Sequence, residues 1–359
     1  MNSGLNLVTG ATGFLGSHLV ERLVREGQSV RVLVRPCSDT SFLDRLDVEK
    51  IVGDLTDASS AERACRGVEV VYHAAAKVTD WGPWQDFHRH IVEATDHLAH
   101  AACEASVRRF VHVSSVSAYA DSGGANQTLD EAAPLGDDAR RSDHYGRAKA
   151  LAENHLWQLQ EREGLPLTVL RPAWMYGPRD RVALPRFHRL LTAGRIRILG
   201  DGHNLLSTAF VGNVVDACLL AAANKRALRQ AYNCSSDGPI TQREFLNLWS
   251  DAFGCARPRR SVPYRLAYWA AFACECAGHL VGRQTPPPIT RHSVGMLGRR
   301  PYFPTDKIQQ QLGWRPAVSY REGIDLAARW YLEQLQGSLN RELLSQQTDT
   351  DEACVRRNL

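Results

Sequence analysis

A tyrosine and a lysine four residues apart would carry acid–base chemistry if they shared a helix. They are Tyr145 and Lys149, in the segment YGRAK. At this spacing the two side chains lie on one helix face, so the Lys149 ammonium would lower the pKa of the Tyr145 phenol. Such a phenol is a general base toward an alcohol and a general acid toward a ketone. Tyrosine and lysine at this spacing also form ordinary surface pairs, so the surrounding elements must decide whether the pair is catalytic.

A nearby hydroxyl group would hold the substrate oxygen while the tyrosine exchanges its proton. The segment SSVSAY, at the end of a predicted strand, offers Ser114, Ser115 and Ser117. Serines at such positions also cap helices and turns. The residues alone therefore leave the choice among the three open.

A glycine-rich turn near the start of the sequence predicts a site for dinucleotide phosphates. Gly10, Gly13 and Gly16 lie between a short apolar strand, 5–9, and a predicted helix, 17–26. The first glycine permits the tight turn, the second lets a pyrophosphate approach the backbone, and the third lets helix and strand pack closely. Free N–H groups at the helix start favour the phosphate charge. The spacing GxxGxxG is one residue longer than the common fingerprint.

Strands and helices alternate along the first half of the chain. The predicted strands are 5–9, 29–34, 48–52, 68–76, 109–114 and 167–170, and the predicted helices are 17–26, 57–66, 86–105 and 143–163. This alternation predicts an α/β protein with a Rossmann-type, doubly wound parallel sheet and a smaller C-terminal substrate lobe. We expect a dinucleotide-binding domain over 1–175, completed by later segments, a substrate lobe mainly over 176–336, and a disordered tail over 337–359.

The composition excludes several functional classes. The chain has 359 residues, of which 44% are hydrophobic and 23% charged, as in a globular protein with a large core. Its basic residues are scattered and its net charge is only +4, which argues against nucleic acid. The nine cysteines lack paired metal spacing, so we expect no metal site and a reducing environment. With no leader or membrane-spanning segment in the sequence, we expect a cytoplasmic protein.

Together these motifs resemble the extended short-chain dehydrogenase/reductase superfamily, which is the NAD-dependent epimerase/dehydratase superfamily. They are most similar to its 3β-hydroxysteroid dehydrogenase-like and dihydroflavonol reductase-like branches. The matching segments are TGATGFLG, GDLTD, HAAA, HVSSVSAY, YGRAK, VLRPAWMYGP and FVGNVVDA. The resemblance runs from about Leu5 to about Glu333.

The resemblance implies a role for each matching residue. Tyr145 would be the catalytic acid and base, Lys149 would hold the nicotinamide ribose, and Ser115 would steady the substrate oxygen. The cofactor would be bound by residues from several loops: Gly10, Thr12, Gly13, Phe14, Leu15 and Gly16 at the pyrophosphate, Asp54 and Leu55 at the adenine, Ala74, Ala75 and Ala76 toward the riboses, and Pro172 at the nicotinamide.

The end of the second strand bears on cofactor choice. Enzymes that use NAD place an acidic residue there to bind the ribose hydroxyls. This chain has Val34 and Arg35 instead, and a guanidinium suits a phosphate group. The residues therefore favour NADP, with NAD as the alternative if Arg35 is only a solvated loop residue.

Two segments depart from the family pattern. The usual N-V-x-G-T of the fourth helix reads IVEAT over 91–95, so the asparagine and the glycine are replaced. Ala148 stands where a serine is common. The first departure puts in doubt any proton relay that depends on the asparagine.

Two aromatic segments suit a large apolar substrate. Residues 77–84, KVTDWGPW, follow the fourth strand, and residues 264–282 read as an apolar helix interrupted by Glu275. Tryptophans also serve as plain core residues. The helix would therefore pack in the core, cover the pocket or rest on a membrane surface as a peripheral contact.

We therefore expect an NAD(P)-dependent oxidoreductase that passes a hydride between nicotinamide and a hydrophobic secondary alcohol or ketone, 3β-hydroxysteroid-like or 3-oxo. The alternative is a nucleotide-sugar epimerase or dehydratase with tightly bound NAD, for which Arg179, Arg181, Arg186 and Arg189 would bind a diphosphate. A third hypothesis is a redox-sensing module without turnover, against which the intact catalytic residues argue. The resemblance also implies a homodimer through two helices.

Overall fold

The fold is organised around one parallel sheet of seven strands. The computed structural model describes residues 4–120, 127–137, 143–283, 285–298 and 301–337. The strands run in the order β3-β2-β1-β4-β5-β6-β10, all parallel, so the order reverses between β1 and β4. Their bounds are Leu5–Thr9 (β1), Val30–Val34 (β2), Glu49–Val52 (β3), Val68–His73 (β4), Arg109–Val113 (β5), Leu167–Pro172 (β6) and Gln230–Cys234 (β10).

Helices cover both faces of this sheet. Leu7 faces one layer and Val8 the other, and most strand residues are buried, as expected for a parallel sheet covered on both sides. One layer holds α1 and α7, and the other holds α2, α4 and α5. The bounds are Phe14–Arg25 (α1), Ala58–Cys65 (α2), Trp84–Phe87 (α3), Ala94–Glu104 (α4), His144–Glu163 (α5) and Val211–Ala223 (α7). The predicted Rossmann-type fold is therefore confirmed.

A smaller region forms from the second half of the chain. Its parallel pairs join Trp174–Tyr176 (β7) to Thr208–Phe210 (β9) and Ile198–Leu199 (β8) to Ser261–Val262 (β11). Its helices are Ala183–Thr192 (α6), Gln242–Ala252 (α8), Tyr264–Leu280 (α9) and Arg291–Gly298 (α10), followed by Asp306–Leu312 (α11) and 320–337 (α12). The boundary at residues 175–176 stays a prediction, and the tail predicted over 337–359 lies, beyond its first residue, outside the described residues. No helix in the described part of the chain is long and apolar enough to cross a membrane.

The helix predicted over 86–105 is the element that differs most from expectation. It starts at Trp84 rather than 86 and contains a π-helical turn over His88–Glu93 before α4 begins. A π-turn inserts an extra residue per turn, which a helical hydrophobic pattern does not reveal. The turn overlaps the segment 91–95 that departs from the family pattern.

Two histidines lie side by side in the centre of the sheet. His73 on β4 and His112 on β5 are paired in register, are almost wholly buried, and have ring centroids 5.3 Å apart. Both ring nitrogens of His112 lack a hydrogen-bond partner among the described residues. Burial lowers the pKa of His73 to about 3 and holds the pKa of His112 well below its usual range. Both imidazoles are therefore neutral in the folded protein.

Replacing His112 by leucine should weaken the acid sensitivity of folding. A histidine whose folded-state pKa is lowered binds its proton only on unfolding, so it removes stability as the pH falls below about 6.5. Between pH 7 and pH 5 one such histidine lowers the free energy of unfolding by ~2 kcal/mol. Urea unfolding at both pH values should show His112→Leu losing about that much less than the wild type.

An exposed histidine supplies the control for this comparison. His203 is exposed, and His203→Leu should keep the pH dependence of the wild type. Equal pH dependence in His112→Leu and the wild type would contradict the assignment of a neutral, buried imidazole.

Candidate active site

The candidate site lies where the strand order of the sheet reverses. Ligands of open parallel sheets bind at this point, beyond the carboxyl ends of the strands. Here the loops after β1 and β4 touch: a Cβ on Gly10 would lie 2.8 Å from the Cα of Ala75. Gly10 also has a φ of +70°, which a residue with a side chain rarely adopts. Only glycine allows both the turn and this close contact.

The start of α1 forms a cradle that fits a pyrophosphate. Gly13 is the N-cap and provides no side-chain hydrogen bond, and the first turn contains no acidic residue. Uncapped N–H groups of Phe14 and Leu15 therefore face outward, where an anion is favoured. Gly16 packs so tightly that a Cβ would lie 2.1 Å from the Gly10 carbonyl oxygen. Thr12, half-buried, completes the turn.

The residues predicted for the adenine end surround the ends of β2 and β3. Asp54 is half-buried and accepts a hydrogen bond from the backbone N–H of Thr56 at 2.9 Å, while Leu55 is buried. Arg35 is exposed at the end of β2. The first carboxylate after β2, Asp39, is already hydrogen-bonded to Arg181 at 2.8 Å. No acidic residue lies between the end of β2 and Asp39, so none competes with Arg35 for the adenosine ribose of a cofactor.

The nicotinamide end has a floor of small and buried groups. Ala74, Ala75 and Ala76 form a half-buried loop after β4, and Pro172 is buried at the end of β6. Beneath them, the two ring nitrogens of His73 lie 2.8 Å from Oγ1 of Thr9 and 2.9 Å from Oγ1 of Thr95. These contacts join three elements at the site: β1, β4 and α4.

The structure distinguishes among the three serines. Ser115 lies close enough to the Tyr145 phenol to lower the pKa of that group, and it accepts a hydrogen bond from the N–H of Ser117 at 3.1 Å. Ser114 points away and donates to Glu153 at 2.7 Å. Ser115 therefore both caps a 3₁₀ turn and lies beside the tyrosine. These are the two roles that the sequence left open for a serine in this segment.

Lys149 lies one turn along α5 from Tyr145 and is buried. Its ammonium donates to the backbone carbonyl of Val113, at the end of β5, at 2.8 Å. Burial lowers the pKa of Lys149 to about 8. Burial also raises the pKa of Tyr145 to about 12, despite the hydrogen bond with Ser115, so the lowering expected from the sequence is not seen. The reason is that desolvation of the phenolate outweighs the polar contacts.

A buried ion pair that the sequence analysis missed lies beneath these residues. Glu153, one further turn along α5, is wholly buried and hydrogen-bonded to Arg171 of β6 through distances of 3.1 and 3.2 Å to the Arg171 Nε. Arg171 also donates to the Tyr119 hydroxyl at 2.8 Å. A glutamate four residues after Lys149, on an otherwise buried helix face, was the signal in the sequence.

The two departures from the family pattern meet in space. Ile91 and Val92 of the π-turn pack with Phe87, Ala148 and Ala152 in one buried apolar cluster. The isoleucine and the alanine thus replace two polar residues of the family pattern within the same cluster. Ile91 therefore stands where the family has the asparagine, and it makes an apolar contact between the π-turn and α5.

The loop over 77–84 lies between α5 and α9. Trp84 contacts the Arg147 guanidinium 4.2 Å from its ring centre, and the Trp81 ring stacks on His279 with centroids 4.2 Å apart. The Nε1 of Trp81 donates to the Arg283 carbonyl at 2.8 Å. Both tryptophans therefore fix this loop rather than lying in the main core.

Most of the arginines proposed to bind a sugar diphosphate already have hydrogen-bond partners within the protein. Arg179 donates to Glu21 at 2.8 Å, Arg181 to Asp39 at 2.8 Å, and Arg186 to the Pro288 carbonyl at 2.6 Å. Arg189 is exposed. The described residues contain no cluster of metal-ligating side chains.

Comparison with known proteins agrees with this geometry. The NAD dependent epimerase/dehydratase family matches residues 6–235, which is more than half of the chain. The chain is 32% identical to a 2-alkyl-3-oxoalkanoate reductase of Stenotrophomonas maltophilia, over 89% of this chain and 96% of that protein. It is 31% identical to a 3beta-hydroxysteroid-dehydrogenase/decarboxylase of Arabidopsis thaliana, over 89% of this chain and 60% of that protein.

The fold is also shared with solved structures. The UDP-glucose 4-epimerase of Thermotoga maritima superimposes with a TM-score of 0.73 at 23% identity, over 92% of this chain and 99% of that one. This likeness concerns the fold alone. The named relatives are reductases and dehydrogenases, so the predicted enzyme class, an NAD(P)-dependent oxidoreductase of hydroxyl or keto groups, is confirmed. The chain belongs to the NAD dependent epimerase/dehydratase family, the extended short-chain dehydrogenases/reductases.

Proposed function

We propose that this enzyme reduces the 3-oxo group of a large apolar substrate with NADPH. The placement of Ser115 beside the Tyr145 phenol, one helical turn from Lys149, is the observation that carries the proposal. The bound cofactor would supply the hydride from its nicotinamide. The reductase of 2-alkyl-3-oxoalkanoates and the 3β-hydroxysteroid dehydrogenase among the relatives support a 3-oxo or 3-hydroxy carbon as the reacting centre.

Each catalytic side chain has one task in this proposal. Ser115 donates a hydrogen bond to the substrate carbonyl oxygen, and Tyr145 donates its proton to the same oxygen as the alcohol forms. Burial keeps the pKa of Tyr145 high, so the phenol is protonated before reduction. Lys149 is placed to bind the nicotinamide ribose and to stabilise the phenolate that remains.

Replacing Tyr145 by phenylalanine should abolish the proton transfer and leave the cofactor site intact. We expect kcat with a long-chain 3-oxo substrate to fall roughly 10²- to 10⁴-fold, because a positioned general acid contributes that much. The dissociation constant for NADPH, measured by nicotinamide fluorescence, should change little. Tyr302→Phe, at an exposed tyrosine, is the matched control and should retain full activity. Turnover that survives in Tyr145→Phe would refute the assignment.

The preference for NADP is proposed from the environment of Arg35. The guanidinium is exposed at the end of β2, and Asp39 is paired with Arg181, so no carboxylate is free there to bind the ribose hydroxyls. A phosphate on the adenosine ribose would meet Arg35 in bidentate geometry.

Replacing Arg35 by aspartate should reverse the preference. NADPH binding should weaken by at least tenfold, because a phosphate contact is lost and repulsion is added, while NADH binding should hold or improve. Fluorescence titration of both cofactors measures this. Arg162→Asp, an identical charge change at the far end of α5, should leave both constants unchanged. Equal affinity of the wild type for NADH and NADPH would remove Arg35 from the cofactor site.

An NAD-retaining epimerase is the weaker alternative. It would need free cationic groups for the sugar diphosphate, whereas Arg179, Arg181 and Arg186 are already paired. NAD that copurifies with the protein and turnover of a nucleotide sugar would favour it. The residues proposed for catalysis are common to both reactions, so the substrate side decides between them.

We also propose that α9 rests on a membrane surface. Leu266, Trp269 and Leu280 are 62%, 63% and 88% exposed along this helix. The residues exposed between them are small or apolar, apart from His279 near the end: Ala270, Phe272, Ala273, Cys276 and Ala277. Exposed arginines lie before and at its start, at 259, 260 and 265. An apolar stripe with basic residues at one end suits the surface of an anionic bilayer. The cytoplasmic location stays a proposal, supported by the free cysteines among the described residues.

Flotation with lipid vesicles tests this contact. The protein should float with phosphatidylcholine vesicles that contain phosphatidylserine, and less with phosphatidylcholine alone. The variant with Leu266, Trp269 and Leu280 changed to serine should stay unbound while keeping its activity on a dispersed substrate. If the wild type stays unbound and the same variant turns a dimer into a monomer by light scattering, α9 is instead an interface between two copies. The homodimer implied by the family resemblance is otherwise untested.

A further inference from the structure

The ion pair of Glu153 and Arg171 connects the segments that carry the catalytic residues. Glu153 accepts hydrogen bonds from Ser114 at 2.7 Å, from the Trp157 Nε1 at 3.2 Å and from Arg171. Ser114 immediately precedes Ser115, and its N–H donates to the Leu170 carbonyl at 2.7 Å. The carboxylate therefore joins β5 and β6 to the helix that bears Tyr145 and Lys149.

Arg171 extends these contacts toward the end of the sheet. Its Nη1 donates to the Tyr119 hydroxyl at 2.8 Å, and that hydroxyl donates to the Oδ1 of Asn233 on β10 at 2.7 Å. The guanidinium lies 4.7 Å from the Tyr119 ring centre. Pro172, the next residue, is the one expected at the nicotinamide. Four neighbouring elements are thus joined by one buried polar network.

A buried ion pair of this kind contributes little net stability to a protein core. Both side chains are nearly inaccessible, with exposures of 4% for Arg171 and 0% for Glu153. Removing two charges from water costs several kcal/mol per ion, and apolar pairs of similar volume often give equal or greater stability. The location of the pair, directly below the catalytic residues, points to a function beyond stability.

We propose that Glu153 and Arg171 are positioning residues that hold Ser115, Lys149 and Pro172 in their working arrangement. Neither side chain would touch the substrate or the cofactor. Glu153 acts on Lys149 through its charge, from the next turn of the same helix, and on Ser115 through Ser114. Arg171 acts through the backbone at the end of β6. This inference rests on the proposed function, because it assigns the pair to the same catalytic residues.

Glu153 also acts on Lys149 through its charge. The carboxylate raises the pKa of Lys149 against the effect of burial. The other titratable groups that interact with Lys149 are His73 of β4 and His112 of β5, and both are neutral because burial holds their pKa values low. Without the carboxylate the Lys149 ammonium would lose its proton at a lower pH.

The test uses two variants of the full-length protein. Glu153→Gln removes the charge and keeps the shape, and Glu153→Met with Arg171→Met removes the whole pair without leaving a buried charge unpaired. Both should lower kcat for 3-oxo reduction at least tenfold and move the alkaline limb of the kcat/KM profile to lower pH by roughly one unit. The dissociation constant of NADPH should rise at a correspondingly lower pH. The double variant should keep the urea midpoint of the wild type within the range of a conservative core change.

Glu161→Gln, at an exposed position of the same helix, is the matched control and should match the wild type in each measurement. A folded double variant with wild-type kcat and an unmoved pH profile would show that the pair only stabilises the fold and would overturn the proposal. If Tyr145→Phe retained turnover, the proposed function itself would fail, whatever these variants do. The two failures are therefore distinguishable.

Discussion

The close contact between the loops after β1 and β4 is the constraint on which the rest of the structure depends. Gly10 and Ala75 meet without room for a side chain on the glycine. Because the strand order reverses at this point, the two halves of the sheet diverge beyond it and leave a crevice. The uncapped start of α1 faces one side of that crevice, and Tyr145 and Lys149 come from a helix on the other side of the reversal.

Below the crevice the protein buries an unusual amount of polarity. His73 of β4 and Lys149 and Glu153 of α5 are all nearly inaccessible. Most of these groups are satisfied by short hydrogen bonds, and the His112 nitrogens are the exception among them. Burying polar groups reduces stability unless each is paired. Their concentration beneath the residues proposed for catalysis is what a preorganised site requires, because fixed dipoles and charges need no rearrangement during a reaction.

The same scaffold serves epimerases and oxidoreductases, so the fold does not decide between them. What differs here is the substrate side. Three of the four arginines that would suit a diphosphate are paired with Glu21, Asp39 and a backbone carbonyl. The loop over 77–84 is fixed by aromatic contacts to α5 and α9. This chemistry fits an apolar substrate better than a charged one, in line with the ketone-directed relatives.

The sequence by itself determined the parallel sheet, the glycine turn before α1 and the placement of Tyr145 and Lys149 one turn apart on α5, because each depends on local spacing. Local spacing left three serines open beside Tyr145, and only the family resemblance named Ser115. The sequence did not determine the π-turn that brings Ile91 against Ala148 or the partnership of Glu153 with Arg171. It also misjudged the pKa of Tyr145, which burial raises. Only the tertiary structure decided these points, since they depend on distant segments packing together and on the water excluded when they do.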